Sequence, residues 1–378
     1  MPTPPRVTAL ANALQTLPSD VVCLTGYPWD SDKDALFNAA ASRFPYAYYA
    51  HTDLDSAPND PAEQDGTIPP TQSDAPCADD KDASLLATGF DCVQDHCSTI
   101  AGSGEGSISG SSCVQANCTS ELLGLLTSAD PYKRCYVCAV QTGFQHSIDY
   151  TRQACTTDAR ATVGFDGKSP VMLLSRYPLS AQATYVLPST WLTQVAIKAQ
   201  VRLPNDAAVD VYCSAFGPVR DGLTYPYTGY YGEGALDKVG WSNEQQWQAQ
   251  KLVSFVEKTS TSRPAVILGN FAATRAEGSL MEFGAPETIE YLESKWKPAT
   301  APDYTPACTV CADNPSATAD SSYQQVRGFV KGIEPSAIES TARTFMDSVD
   351  YGDAPGSPSP GPISSEYGLR SVISIDAP

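Results

Sequence analysis

The stretch Val266-Ile-Leu-Gly-Asn-Phe-Ala-Ala-Thr274 joins a short, continuous apolar run to a turn of small and polar residues. The pattern predicts a strand over 265–269, buried on both faces, with a loop at its carboxyl end. Upstream, Asn243 to Glu257 has the spacing of an amphipathic helix with Trp247, Leu252, Phe255 and Val256 turned inward. Further strands are predicted at 170–175, 194–202, 208–213 and 325–331, with a last one from Tyr367 to Ile375. Near the start, Asp20-Val-Val-Cys-Leu24 is another doubly buried strand. It lies between a helix over 6–17, stopped by Pro18, and a second helix over 34–43. Apolar strands alternating with helices imply sheets covered by helices.

The cysteines set the redox context. They stand at Cys23, Cys77, Cys92, Cys97, Cys113, Cys118, Cys135, Cys138, Cys155, Cys213, Cys308 and Cys311. An even count with local clustering predicts about six disulfides and an oxidising, extracellular or periplasmic compartment. The pairs Cys135/Cys138 and Cys308/Cys311 have zinc-site spacing. Their surroundings lack the short knuckles of zinc ribbons, and disulfides account for all twelve thiols together. Cys92-Val-Gln-Asp-His-Cys97 recurs as Cys113-Val-Gln-Ala-Asn-Cys118, joined by a Gly/Ser linker and followed by an apolar helix over 121–126. This predicts a cystine-stapled helical insertion, too short for a solenoid.

Composition excludes several classes of function. With 24 basic and 43 acidic residues the net charge is −19, which repels phosphate polymers and anionic lipid, so no nucleic-acid partner is expected. No apolar run approaches the roughly 18 to 20 residues of a membrane span. Met1-Pro-Thr-Pro-Pro5 lacks the features of a signal peptide, so the sequence is read as a mature form or a truncated reading frame.

The order of these elements resembles the endonuclease/exonuclease/phosphatase superfamily, the deoxyribonuclease I-like fold, and is most similar to its secreted, cysteine-rich bacterial members. The resemblance spans roughly residues 6 to 375. It rests on Asp20 to Leu24, Leu173-Leu-Ser-Arg-Tyr-Pro178, Val209-Asp-Val-Tyr-Cys213, the Gln-rich helix near Gln246, Val266 to Thr274, and Tyr367-Gly-Leu-Arg-Ser371. It implies a two-sheet α/β sandwich flanked by helices, formed by residues 1–378 as a single domain, with an acidic loop over 53–83 and a cysteine-rich insertion over 84–158. The family's opening strand has no counterpart before Arg6; if the chain is complete, the sheet is expected to have a slot or edge that a neighbour's strand could occupy.

Family chemistry is the attack of water on a phosphodiester, with a divalent metal stabilising charge and a His/Asp pair as general base. The positions that carry it are changed here. Thr25-Gly26 stands where the family has Gln-Glu, and Ser214-Ala215 stands for Thr-His. Asn270 and Ala272 stand for the Asp and Asn of the acidic loop, and Ser365-Glu366 for the Asp-His before the last strand. Val326-Arg327 occupies a further Asp-His place. His51, His96 and His146 lie on none of the motif strands.

The reading is therefore a catalytically inactive homologue without a cofactor, acting as an extracellular binding or structural protein. Its partners would be proteins, including itself as a homo-oligomer, surface layer or filament. Tyr225, Tyr227, Tyr230 and Tyr231 form a turn-rich aromatic stretch suited to an interface. The alternative is an active secreted phosphodiesterase or phosphatase using magnesium or calcium on replacement carboxylates such as Asp30, Asp32 or Glu366. Asp206 to Asp210 and the acid-rich loop match no defined calcium site. Arg176 reads as a strand-end contact.

Overall fold

The computed structural model describes residues 4–27, 29–49, 75–97, 112–130, 133–143, 147–157, 168–189, 192–220, 238–260, 263–349 and 361–375. Tyr225, Tyr227, Tyr230 and Tyr231, expected at an interface, lie outside them, as do His51, His146 and the Gly/Ser linker over 101–111.

Helix α1 (Pro4–Thr16) leads into β1 (Val21–Thr25), α2 (Asp30–Ala40) and the short β2 (Tyr46–Tyr48). After the insertion come β3 (Val171–Ser175), β4 (Leu179–Leu187), β5 (Gln194–Arg202) and β6 (Ala208–Ala215). Helix α8 (Lys238–Thr259) connects β6 to β7 (Ala265–Asn270), and α9 (Pro286–Lys295) precedes β8 (Lys297–Pro298). The pairs β9 (Val310–Cys311) and β10 (Ser322–Tyr323), then β11 (Val326–Lys331), β12 (Ile338–Thr344), β13 (Ser348–Val349), β14 (Gly361–Pro362) and β15 (Gly368–Ile373) complete the order.

The main sheet runs β4-β5-β6-β7-β11-β8. Its pairs are antiparallel except β6 with β7, whose parallel register sets Val211 beside Val266 and Ala215 beside Asn270. Parallel neighbours need a long crossover, and α8 supplies it. The second layer is β1-β3-β2 together with the separate pair β12-β15.

Strand alternation divides the core into three slabs. Val171 and Leu173 of β3 face the main sheet with Val209, Val211, Val266 and Ile338. Met172 and Leu174, one residue out of phase, face α1 and α2 through Leu10, Leu14 and Leu36. On the far side of the main sheet, Tyr212, Ile267 and Phe329 pack under Leu252, Phe255, Ile289 and Leu292. The result is four layers, helix–sheet–sheet–helix, with both sheets apolar on two faces. This is the sandwich expected from the sequence.

All twelve cysteines are paired, as Cys23–Cys213, Cys77–Cys135, Cys92–Cys118, Cys97–Cys113, Cys138–Cys155 and Cys308–Cys311. The two copies of the internal echo are thus tied to each other in nested fashion. The insertion is helical: α3 (Asp80–His96), α4 (Ser112–Asn117), α5 (Thr119–Leu123), α6 (Arg134–Gly143) and α7 (Ile148–Thr157). Its own core of Leu86, Phe90, Val93, Leu125 and Tyr136 meets the sandwich through Val219 and Trp241.

Two expectations need adjusting. The acidic loop ends earlier than residue 83, because Asp79 caps α3 by accepting from the backbone N–H groups of Lys81 and Asp82. Carboxylates are favoured at a helix N-terminus, so acid-rich sequence there is helical. The helix predicted over 34–43 begins at Asp30 for the same reason, with Asp30 and Asp32 in its first turn. The described residues contain no helix long and apolar enough to cross a membrane.

Candidate functional site

The carboxyl ends of β1, β6 and β7 converge with the loop before β15. Thr25, Gly26, Ala215, Asn270, Ser365 and Glu366 all line one cavity of about 540 Å³, whereas Ser214 and Ala272 are not in its lining. Val326 and Arg327 line it as well. Of the three replacement carboxylates considered, Glu366 is in this lining and Asp30 and Asp32 are not. Asp30 pairs with Lys33 at 3.2 Å and with Lys168 at 3.6 Å.

Asn270 is the hub of the site. Its Nδ2 donates to Glu366 Oε2 at 2.8 Å, and its Oδ1 accepts from the Ala272 N–H at 2.9 Å. Its carbonyl accepts from the Phe216 N–H at 2.9 Å, which locks the end of β6 to the end of β7. An amide can make both side-chain bonds at once because it carries a donor and an acceptor, which an ionised aspartate does not. The side chain of Asn270 thus ties the loop before β15 to the turn after β7.

Ala272 is buried at the turn and holds φ at +47°. A left-handed conformation suits Asn or Gly and costs an alanine roughly 1–2 kcal/mol. The turn is pinned from outside: Gln245 donates from Nε2 to the Ala272 carbonyl at 3.0 Å and accepts from the Ala285 N–H at 3.0 Å. The turn's backbone is thus held by a side chain of α8. Gln245 lies in the Gln-rich helix noticed in the sequence, but its role as a clamp on this loop was not visible there.

Two glycines fix the geometry further. At Gly269 an added Cβ would sit 2.2 Å from the Ser214 carbonyl oxygen, so the close approach of β6 and β7 requires glycine. At Gly26 φ is +88°, which strains any L side chain even though the surrounding space is open. A glutamate at position 26 would therefore need the backbone after β1 to change course.

Glu366 is the remaining carboxylate at this end. Burial raises its carboxyl above the ordinary range, and the hydrogen bond from Asn270 opposes the shift. With a raised folded pKa, the stability this group contributes is complete below the unfolded value near 4.5 and is lost as pH rises through the folded value. Glu366→Gln is expected to remove that loss. The variant should match the parent in urea denaturation at about pH 4 and exceed it at about pH 8. A variant less stable than the parent at both pH values would contradict this assignment.

The other candidates lie elsewhere. His96 ends α3 and is exposed. Arg176 pairs with Asp20 at 2.8 Å and closes the β1–β3 end, as expected of a strand-end contact. Asp206 pairs with Arg202 at 2.9 Å, whereas Asp210 is fully buried beside Lys198, so the two do not share a site. Cys308 and Cys311 are joined to each other, and Cys135 and Cys138 are each bound elsewhere, so neither pair is a thiolate ligand set. Among the described residues no group of three or more His, Cys, Asp or Glu is placed to hold a metal ion.

Comparison with solved structures places the fold. The chain superposes on a Staphylococcus aureus beta toxin structure with a TM-score of 0.50 at 11% identity, covering 98% of this chain and 93% of that one. A beta toxin mutant of the same organism, with bound magnesium ions, gives 0.51 at 11% identity over 98% and 91%. The structure of SmcL gives 0.51 at 9% identity over the same shares. These are deoxyribonuclease I-like folds, and the present chain shares that fold along nearly its whole length. No family model matches the sequence, and no curated protein matches it.

Proposed function

We propose that this deoxyribonuclease I-like fold serves as an extracellular binding or structural protein and does not hydrolyse phosphodiesters. The observation that carries the reading is the convergence of Thr25, Gly26, Ala215, Asn270, Ser365 and Glu366 on one cavity, with Glu366 the one ionisable group among them. Metal-assisted hydrolysis needs carboxylates for the cation and a base for the water, and each contributes orders of magnitude in rate. The left-handed Gly26 and the double hydrogen bonding of Asn270 support a lasting change of use, since both would oppose a return of acidic side chains. Six disulfides are consistent with a secreted protein, which is the compartment we propose. Its partners in this reading are proteins, and it needs no cofactor. The narrower form, self-assembly into a surface layer or filament, has no observation among the described residues to carry it.

One observation favours the alternative of an active phosphoric ester hydrolase: Glu366 is a carboxylate with a raised pKa inside the cavity. A single restored acid separates the two readings. Asn270→Asp is expected to give no turnover of bis(p-nitrophenyl) phosphate with magnesium, manganese or calcium. It also sets a second carboxylate against Glu366, so it should be less stable than the parent at neutral pH and recover on acidification. Metal-dependent turnover by this variant would overturn the proposal.

A further inference from the structure

Cys308-Thr-Val-Cys311 closes the smallest disulfide ring of the molecule, with a sequence separation of 3 where the other bridges span 16 to 190. So short a ring removes little chain entropy, and it contributes less than the others to holding the fold. Its surroundings differ as well. Arg343 of β12 places Nη1 3.2 Å from Cys311 Sγ and 3.7 Å from Cys308 Sγ. The ring of Tyr367 lies under that guanidinium, with its centroid 5.3 Å away, and helps to hold it there. Sulfurs of three other bridges lie beside backbone carbonyl oxygens instead. Cys113 Sγ is 3.3 Å from the oxygen of His96, Cys92 Sγ 3.4 Å from that of Asn117, and Cys23 Sγ 3.6 Å from that of Leu268. The Cys77–Cys135 and Cys138–Cys155 bridges are fully buried.

These contacts set the chemistry. In thiol–disulfide exchange a thiolate attacks one sulfur, and the other leaves faster the better it carries negative charge. A cation beside a sulfur favours that charge, and a carbonyl oxygen opposes it. Cys308 is half-buried and Cys311 is 2% exposed, so access favours attack at Cys308. Cys311, the sulfur nearer to Arg343, is then the leaving group.

The turn also keeps its two thiols together once the bridge opens. Thr309, between them, donates its N–H to the Tyr323 carbonyl at 2.8 Å, and its carbonyl accepts from the Tyr367 N–H at 2.7 Å. Its Oγ1 accepts from the N–H groups of Gln325 and Val326 at 3.0 and 3.2 Å. None of these bonds uses a sulfur, so the dithiol stays placed to close again.

We infer that Cys308–Cys311 is a thiol–disulfide exchange site, opened and reclosed by low-molecular-weight thiols while the other five bridges stay intact. In the first step the incoming thiolate bonds to Cys308 Sγ, the Cys308–Cys311 bond breaks, and its electron pair leaves on Cys311 Sγ beside Arg343. In the second, another thiolate attacks the mixed disulfide and releases Cys308. Two small thiols are oxidised to their disulfide, and the bridge takes up the two electrons and two protons. The inference goes beyond the binding role proposed above and does not rest on it.

The test incubates the full oxidised chain, without denaturant, with excess reduced glutathione. It quenches with N-ethylmaleimide and locates the labels by peptide mass spectrometry. Cys308 and Cys311 should label about tenfold or more faster than any other pair, and any trapped glutathione adduct should sit on Cys308. Oxidised glutathione should reclose the bridge. Arg343→Gln should slow opening about tenfold, and Arg343→Lys, which keeps the charge, should slow it less. A merely structural arginine would not distinguish the two variants by charge. If Arg343→Gln fails to fold, the order of labelling in the parent decides alone. No opening, earlier or simultaneous opening of another bridge, or an adduct on Cys311 would overturn the inference. So would opening of Arg343→Gln as fast as the parent, or equal slowing by the glutamine and lysine variants.

Discussion

Replacing Lys198 with methionine is expected to destabilise the protein by about 3–5 kcal/mol, the largest effect of any single change considered. Lys198 on β5 and Asp210 on β6 are both buried, with Nζ and Oδ1 3.4 Å apart. Lys198 also donates to the Thr259 carbonyl at the end of α8, at 2.6 Å. Neither oxygen of Asp210 has a hydrogen-bond partner, so charge attraction is what compensates its burial. Arg263, at 3.8 Å and half-exposed, is a weaker substitute. Methionine keeps the stem of the side chain and removes the charge, leaving a buried carboxylate poorly compensated. Removing both charges, in Lys198→Met with Asp210→Leu, should recover most of the loss, because a buried ion pair adds little over well-packed apolar groups. Guanidinium denaturation of the two variants checks this. A single-variant loss below about 1 kcal/mol would show that water or backbone movement already solvates Asp210.

Removing the Cys23–Cys213 bridge should cost about 2–5 kcal/mol. The bridge joins β1 in the smaller sheet to β6 in the main sheet and closes a sequence separation of 190 residues. Loop-closure arguments give long loops the larger effect, although the entropic share of disulfide stabilisation is model-dependent. Here the position adds to it, since among the described residues β1 has a single ladder partner, β3. Cys23→Ala with Cys213→Ala should lower the denaturation midpoint far more than loss of Cys308–Cys311, which spans three residues and ties one turn. Equal effects of the two deletions would mean that the sheets are held together by apolar packing alone.

Much of this architecture could be read from apolar periodicity. The strand over 194–202 matches its expected bounds to the residue and that over 326–331 nearly so, and those at 171–175 and 265–270 follow from continuous apolar runs. Strand β4 was not anticipated: its sequence Leu-Ser-Ala-Gln-Ala-Thr-Tyr-Val-Leu mixes exposed and half-buried positions at the rim of the sheet. Strand β12, with its Ile-Glu-Ser-Thr-Ala-Arg-Thr pattern, was missed for the same reason, and both are edge strands. The helical, cystine-stapled character of the insertion was legible, but the bounds of α6 and α7, which the Cys138–Cys155 bridge joins, were not.

The degenerate positions themselves were visible from the order of motifs, but their present chemistry was not. That Asn270 bonds Glu366, 96 residues away, depends on how the loop before β15 folds over the end of β7. The left-handed backbone at Gly26 and Ala272 is likewise a property of the folded turn.

The central claim is that this fold has kept its layers and given up its hydrolytic chemistry. The most direct measurement is the rate of bis(p-nitrophenyl) phosphate hydrolysis by the oxidised wild-type chain, with magnesium, manganese and calcium supplied in turn and with chelator as control. The account predicts a rate equal to the protein-free background under every condition. Turnover above background that chelator abolishes, and that Glu366→Gln also abolishes, would contradict it.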